Sequence, residues 1–349
     1  MNKQIIVLVV FTVAAVSGSW FLLKSEELAI PKSNVLFEDI KGHAQAIDKI
    51  ILRNNLGNII TAEQMHMEGN GSHFPIDVAE VKTQRWYVTN VNDSGKGYPA
   101  DQVKLSELLG ALVKAELVEA KTKQVSKYER LGLKGIEEGD SQAVEVSVYA
   151  GSRQWNVLIG KDASNGKGTY VRKPVEQQTW LSDQKFDIGE SQGDWLNHTL
   201  FSFSADNVRS IQRTDEEQWK IEKVDAGEAD FQLVDRQDSE LKYDSVLETL
   251  AKDISSIEFD KLHVMDDELW DSLSALVSLE LETFVGDRYS LALAEGNDKI
   301  FLQITSDTSS DFWASWLFEV SSYTKTQLSK RLTDFIINQN ESLNASEGN

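Results

Sequence analysis

The 349-residue chain contains no cysteine. That absence removes disulfide staples, thiolate metal sites, cysteine nucleophiles and lipoprotein-type acylation together. Proline is scarce, at 4 residues, so proline-rich linkers are excluded. Basic residues are outnumbered, 35 against 56 acidic ones, and the formal net charge is −21. A protein that tracks nucleic-acid phosphates needs a basic face, so nucleic acid is ruled out as a partner. The histidines are only five: His43, His66, His73, His198 and His263. No two stand four residues apart, so no H-E-x-x-H zinc motif exists. A G-x-S-x-G nucleophile turn and a complete phosphate loop are missing as well. Apolar and aromatic mass is present, with 9 Trp, 8 Tyr and 14 Phe, enough for packed cores rather than wholesale disorder. The length suits two domains.

From Gln4 to Leu23 the chain carries no charge, and Lys3 and Lys24 bracket the run. As a helix it rises about 30 Å, the thickness of a hydrocarbon core. Residues 1–24 therefore read as an uncleaved single-pass anchor. A cleaved signal peptide is the alternative, but Trp20 to Leu23 continue the apolar run beyond the small residues Ala15 to Ser19. Trp20 stands where an aromatic belt residue meets the interface. The short leader with Lys3 stays in the cytoplasm and the bulk lies outside it. Residues 25–35 form a tether, and the membrane is the partner of residues 4–23.

Beyond the tether, hydrophobic alternation marks short strands. Ile47 to Leu52 and Gly57 to Ile60 are joined by an Asn54-Asn55 turn, and Arg85 to Val88 makes a third strand. Asp101 caps a helix whose Leu105, Leu108, Leu109 and Leu112 fall on one stripe. Tyr128 to Leu133 forms a short helix stopped at Gly132. A meander follows through Val144–Val148, Trp155–Ile159, Thr169–Arg172 and Thr179–Leu181, with one face buried and one wet. The second half repeats this order. The pairs Trp86/Trp219, Leu108/Val246, Gly151/Gly286 and Trp180/Trp316 are all separated by 133–138 residues. Such spacing points to a tandem duplication. The first copy carries an extra stretch, Thr61 to Lys82. The fold class is thus α+β: a transmembrane helix, then two similar modules over 36–200 and 201–337. Each is an antiparallel sheet with one or two packed helices, and residues 338–349 are a polar tail.

Chemical clusters are sparse. Met65-His66-Met67 with His73 reads as a solvated loop, because scattered soft ligands fix no geometry. Asp194 and His198 lie one turn apart but lack a serine on a strained turn, so a hydrolase is a remote alternative. The loop Asp162 to Gly168 resembles the start of a calcium loop, yet Lys167 and Lys173 stand where Gly and Glu are needed. Ser94 to Gly97 reads as a turn. The acidic runs Asp215–Glu217 and Asp266–Glu268 read as solvated hairpin turns rather than catalytic pairs. Strand tryptophans are core anchors by default. Trp313 and Trp316 cannot both face one way on a strand, so one of them, together with Tyr98, marks a contact surface. No catalytic, metal or cofactor-binding residue is assigned, and no cofactor is expected.

Arg85-Trp86-Tyr87-Val88, Gly97-Tyr98-Pro99-Ala100-Asp101 before the Leu-striped helix, and Tyr128 to Leu133 together resemble a bacterial family. So do Leu158-Ile159-Gly160-Lys161, Thr169-Tyr170-Val171-Arg172 and Trp180-Leu181. The chain is similar to members of domain of unknown function 4340, closely over Leu36 to Leu200 and more loosely beyond. The resemblance implies an N-terminal anchor in the bacterial inner membrane with a periplasmic body. It also implies an accessory role beside ABC-type export or gliding-motility-like transport components, and it carries no catalytic residues. The expected function is a non-enzymatic accessory or binding subunit with protein partners. The alternative is a glycan- or polymer-binding module that uses exposed Trp.

Overall fold

The computed structural model describes residues 35–65, 85–227, 230–236, 238–308 and 310–337. The apolar run 4–23, the ligand-like His66, Met67 and His73, and the tail 338–349 lie outside these residues. Among the described residues no helix is long and apolar enough to cross a membrane. The chain divides into two compact units that change over between Leu196 and Asn197.

In the first unit, a helical turn α1 (Ile40–His43) precedes β1 (Lys49–Asn54) and β2 (Gly57–Met65), then β3 (Arg85–Thr89) and β4 (Tyr98–Pro99). The stretch read as an insertion therefore starts inside β2, whose last five residues it includes. Helix α2 (Gln102–Lys114) follows, with the Asp101 carboxylate accepting from the amides of Val103 and Lys104. Leu105, Leu108 and Leu112 are buried, as the stripe requires. Burial of each side chain contributes about 1.5–3 kcal/mol. Then come β5 (Leu117–Ala120), α3 (Tyr128–Leu131), β6 (Val144–Ala150), β7 (Arg153–Asp162), β8 (Thr169–Arg172) and β9 (Thr179–Ser182). Sheet 1 has the order β4-β3-β2-β1-β6-β7-β8-β9-β5, antiparallel throughout. Its wet face holds along β1 and is broken on β6 and β7, where Ser147 and Leu158 on that face are buried. At β9 all four residues are buried, so the simple alternation fails there.

The second unit holds β10 (Val208–Arg213), β11 (Trp219–Glu222), β12 (Gln232–Leu233) and helix α4 (Val246–Ser255). It continues with β13 (Lys261–Val264), α5 (Asp267–Ser272), β14 (Ser274–Thr283), β15 (Arg288–Gly296), β16 (Lys299–Ser306), α6 (Ser310–Trp313) and β17 (Trp316–Val320). Two short helices, α7 (Ser322–Leu328) and α8 (Leu332–Phe335), end it. Sheet 2 runs β12-β11-β10-β14-β15-β16-β17-β13.

Both sheets follow one path. The first strand pairs with the opening strand of a later four-stranded meander, β1 with β6 and β10 with β14. The next strands step outward from it. The long helix then carries the chain to the opposite edge, where β5 or β13 pairs with the meander's last strand. On this path Trp86 lies on the third strand of its sheet and Trp219 on the second. Those two landmarks are not equivalent, whereas the Gly151/Gly286 turns and the Trp180/Trp316 strands occupy matching places.

Candidate functional site

The three residues offered as a contact surface are all buried. Tyr98 is 2% exposed, Trp313 0% and Trp316 1%. Trp313 ends a helical turn instead of lying on a strand, so strand alternation does not govern which way it points. It sits inside an aromatic cluster, with ring centroids 5.8 Å from Phe201, 6.2 Å from Tyr289 and 5.9 Å from Phe318. Burial pushes the Tyr98 phenol up. Trp86, Trp155, Trp180, Trp195 and Trp219 are buried too. Trp270 on α5 is half-buried and stands alone, so the described tryptophans form no exposed row, and the strand tryptophans on which the glycan reading relied are buried.

The remaining polar candidates have structural partners. His198 stacks on Phe259, and its Nδ1 lies 2.7 Å from the Phe259 carbonyl oxygen. The Asp194 carboxylate accepts from the backbone amides of Glu190 and Ser191. Burial opposes its ionisation, but those amides outweigh burial and hold the carboxyl below its ordinary value. The Asp162 carboxylate accepts from the Thr169 hydroxyl at 2.6 Å, and Gly166 and Gly168 turn the loop with positive φ. Asp266 caps α5 by accepting from the Leu269 amide, so this acidic run opens a helix rather than tipping a hairpin. The run Asp215–Glu217 does lie in the turn between β10 and β11 with Glu216 and Glu217 exposed, but the Asp215 carboxylate is engaged. It accepts two hydrogen bonds from Arg213 Nε, at 2.8 and 2.9 Å, while Arg213 also donates to the carbonyls of Ser329 and Lys330. His263 lies 3.1 Å from Glu319, which also accepts from Lys299 at 2.9 Å. Among the described residues no three metal-ligating side chains converge.

Three of the segments that carry the family resemblance, Tyr128 to Leu133, Leu158 to Lys161 and Thr169 to Arg172, meet in one place. Tyr128, Leu133 and Leu158 pack in a cluster flanked by Leu131 and Tyr170. Arg172 is buried and donates to the carbonyls of Leu133, Pro174 and Glu176, with its guanidinium 4.7 Å from the Tyr128 ring centroid. A Cβ on Gly160 would stand 2.3 Å from the Leu131 carbonyl oxygen. These residues hold one another in place. Arg172 as the cation that ties the loop after β8 was not singled out from sequence, because its partners are backbone carbonyls that no side-chain pattern reveals.

Among the described residues, three concavities each lie within one unit. A shallow groove of about 620 Å³ runs along the exposed side of α2, lined by Val103, Ser106, Gly110, Ala111 and Gln184. A polar cleft of about 470 Å³ crosses the wet face of sheet 2. A smaller cavity of about 260 Å³ is lined by Asp253, Asp260, Tyr323 and Gln327. Burial pushes the Asp253 carboxyl up there, against Lys330 and a hydrogen bond from Tyr323. None of these encloses a nucleophile paired with a base.

Residues 86–274 match the family described as "Domain of unknown function (DUF4340)". The match begins in β3 and ends at the first residue of β14, so it passes Leu200 and spans the change between units. No curated protein and no solved structure matches the chain significantly.

Proposed function

The chain belongs to the DUF4340 family, whose description assigns no activity, and from that premise we propose a membrane-tethered accessory subunit that binds a protein partner. The uncharged run Gln4 to Leu23 supplies the anchor, and the body stands on the periplasmic side of a bacterial inner membrane. The transport-linked setting implied by kinship supplies the class of complex.

One observation carries the reading: Val35 and Leu36, the first described residues, lie beside the end of the grooved helix. Val35 bridges to Glu116, and the Leu36 amide donates to the Ala115 carbonyl, just past the end of α2. Residues 24–34, fully extended, reach at most about 40 Å, at roughly 3.6 Å per residue. On this reading the end of α2 lies within that reach of the bilayer, and its exposed side is offered to a partner in the same membrane. That side is built for close approach. Val103 is 67% exposed, and Ser106 and Gly110 stand one turn apart. Glycine inside a helix costs about 1 kcal/mol relative to alanine. A Cβ at Gly110 would meet nothing within 4 Å, so packing inside the chain does not require glycine there. A partner helix seated on the groove does.

A photo-reactive residue at Ser106, introduced into the full chain in native membranes, is expected to give a discrete adduct. The same residue at Gln212 is expected to give none. Gly110→Leu should abolish the Ser106 adduct without lowering the thermal midpoint of the purified chain. Recovery of the chain alone, with no adduct from either position, defeats the proposal.

A further inference from the structure

The strand register of sheet 2 lines up one polar row across five strands. Lys220 on β11 faces Gln212 on β10, Gln212 faces Glu280 on β14, Glu280 faces Ser290 on β15, and Ser290 faces Thr305 on β16. At about 4.8 Å per strand the row is roughly 19 Å long. It forms the floor of the 470 Å³ cleft. Gln212, Glu280, Ser290 and Thr305 are exposed, and among the described residues none of their side chains hydrogen-bonds or ion-pairs within the protein.

Sheet 1 is the internal comparison, and there the wet face is self-satisfied. Lys49 pairs with Glu63 and Arg53 with Glu145, both at 2.7 Å. Gln154 donates to Tyr149 and Asn156. In sheet 2 the pairing is confined to the margins of the row. Lys220 pairs with Glu222 at 2.8 Å, and Glu282 lies 3.4 Å from Arg209 and 3.9 Å from Arg288. Charge is thus cancelled at the sides, while an amide, two hydroxyls and one carboxylate stay open along the middle.

We infer that this row binds a neutral, hydroxyl-rich chain, a glycan without ionised groups. Each sugar hydroxyl both donates and accepts. Gln212 offers one group of each kind, Glu280 accepts, and Ser290 and Thr305 do either. A polyanion would meet Glu280 and Asp307 on a protein of net charge −21. A polycation would find Glu222 and Glu282 already engaged by Lys220 and the flanking arginines. No tryptophan lines the row, and it is independent of the α2 groove.

The test uses the full chain in lipid nanodiscs, free of glycoside detergent, titrated calorimetrically with cellohexaose, maltohexaose and chitohexaose. At least one hexasaccharide is expected to bind saturably. Glu280→Ala should weaken it about tenfold, since a hydrogen bond to a charged group is lost. Ser290→Ala should weaken it about fivefold through loss of a neutral one. Asn156→Ala on sheet 1 should leave it unchanged, and hexalysine and polyglutamate should not bind. Glu280 and Ser290 are exposed and Asn156 is half-buried, and unchanged thermal midpoints will confirm that all three variants fold. The inference is overturned if no hexasaccharide binds, if binding ignores both Glu280→Ala and Ser290→Ala, or if hexalysine binds in their place.

Discussion

Two glycines in one loop separate backbone conformation from space. Gly166 and Gly168, between β7 and β8, have φ of +71° and +87°. A Cβ at Gly166 meets nothing, whereas at Gly168 it would stand 1.8 Å from the Ser182 carbonyl oxygen. Gly166→Ala should therefore cost only the left-handed strain, about 1–2 kcal/mol. Gly168→Ala must also push β9 away from the loop and should cost well over 3 kcal/mol. Urea midpoints of the two variants decide it, and equal losses would show that Ser182 does not crowd the loop. The sequence marked this segment as a turn, because that judgement rests on residues close together in the chain. The approach of Ser182 was not legible, since it depends on how two strands pair. Trp313 erred for the same reason. Alternation along a presumed strand put one tryptophan outside, but a helical turn and a ring of aromatics from distant segments bury both.

Elements show the same division. Helix α2 was readable to its cap because Asp101 and the leucine stripe are local signals. Edge strands β5 and β13, at four residues each, carry too little period to be seen. A Gln shortly before each Trp, Gln84 and Gln218, paired Trp86 with Trp219, while the strand order sets them on different strands. The link between β11 and α4 escaped notice altogether. Lys223, 2% exposed, places its Nζ 3.3 Å from Glu248 on α4 and 4.6 Å from the Phe231 ring centroid. The contact has the distance of an ion pair rather than the alignment of a hydrogen bond. Removing one partner strands a buried charge. Glu248→Gln should cost about 3–5 kcal/mol, and the double variant Lys223→Met/Glu248→Leu should recover most of it. Denaturant unfolding of the single and double variants gives the coupling; simple additivity would mean that the pair does not fix the helix to the sheet.

For the molecule as a whole, the net charge of −21 and the engaged carboxylates pull stability in opposite directions with pH. Protonating exposed acids below neutrality relieves self-repulsion and raises stability. Burial opposes ionisation of Asp215, but the Glu217 and Ser278 amides and Arg213 outweigh it and hold the carboxyl below its ordinary 3.8. In Glu319 burial is likewise outweighed, by Lys299 and His263, and the carboxyl falls below 4.5. A carboxyl lowered in the folded state contributes stability above its unfolded value and loses it as pH falls through the folded one. The thermal midpoint should therefore rise modestly from pH 7 to about 5 and drop steeply below about 4. Asp215→Asn should flatten the acid limb. A midpoint that declines steadily from pH 7 would mean that repulsion is negligible.

The junction at Val35 also sets where tension would enter. Among the described residues, a pull on the chain from its amino-terminal side would bear first on two backbone contacts, Val35 with Glu116 and Leu36 with Ala115. Those contacts sit between the end of α2 and the start of β5. They would act as the mechanical fuse of the first unit, yielding before the broad central strands bear any load.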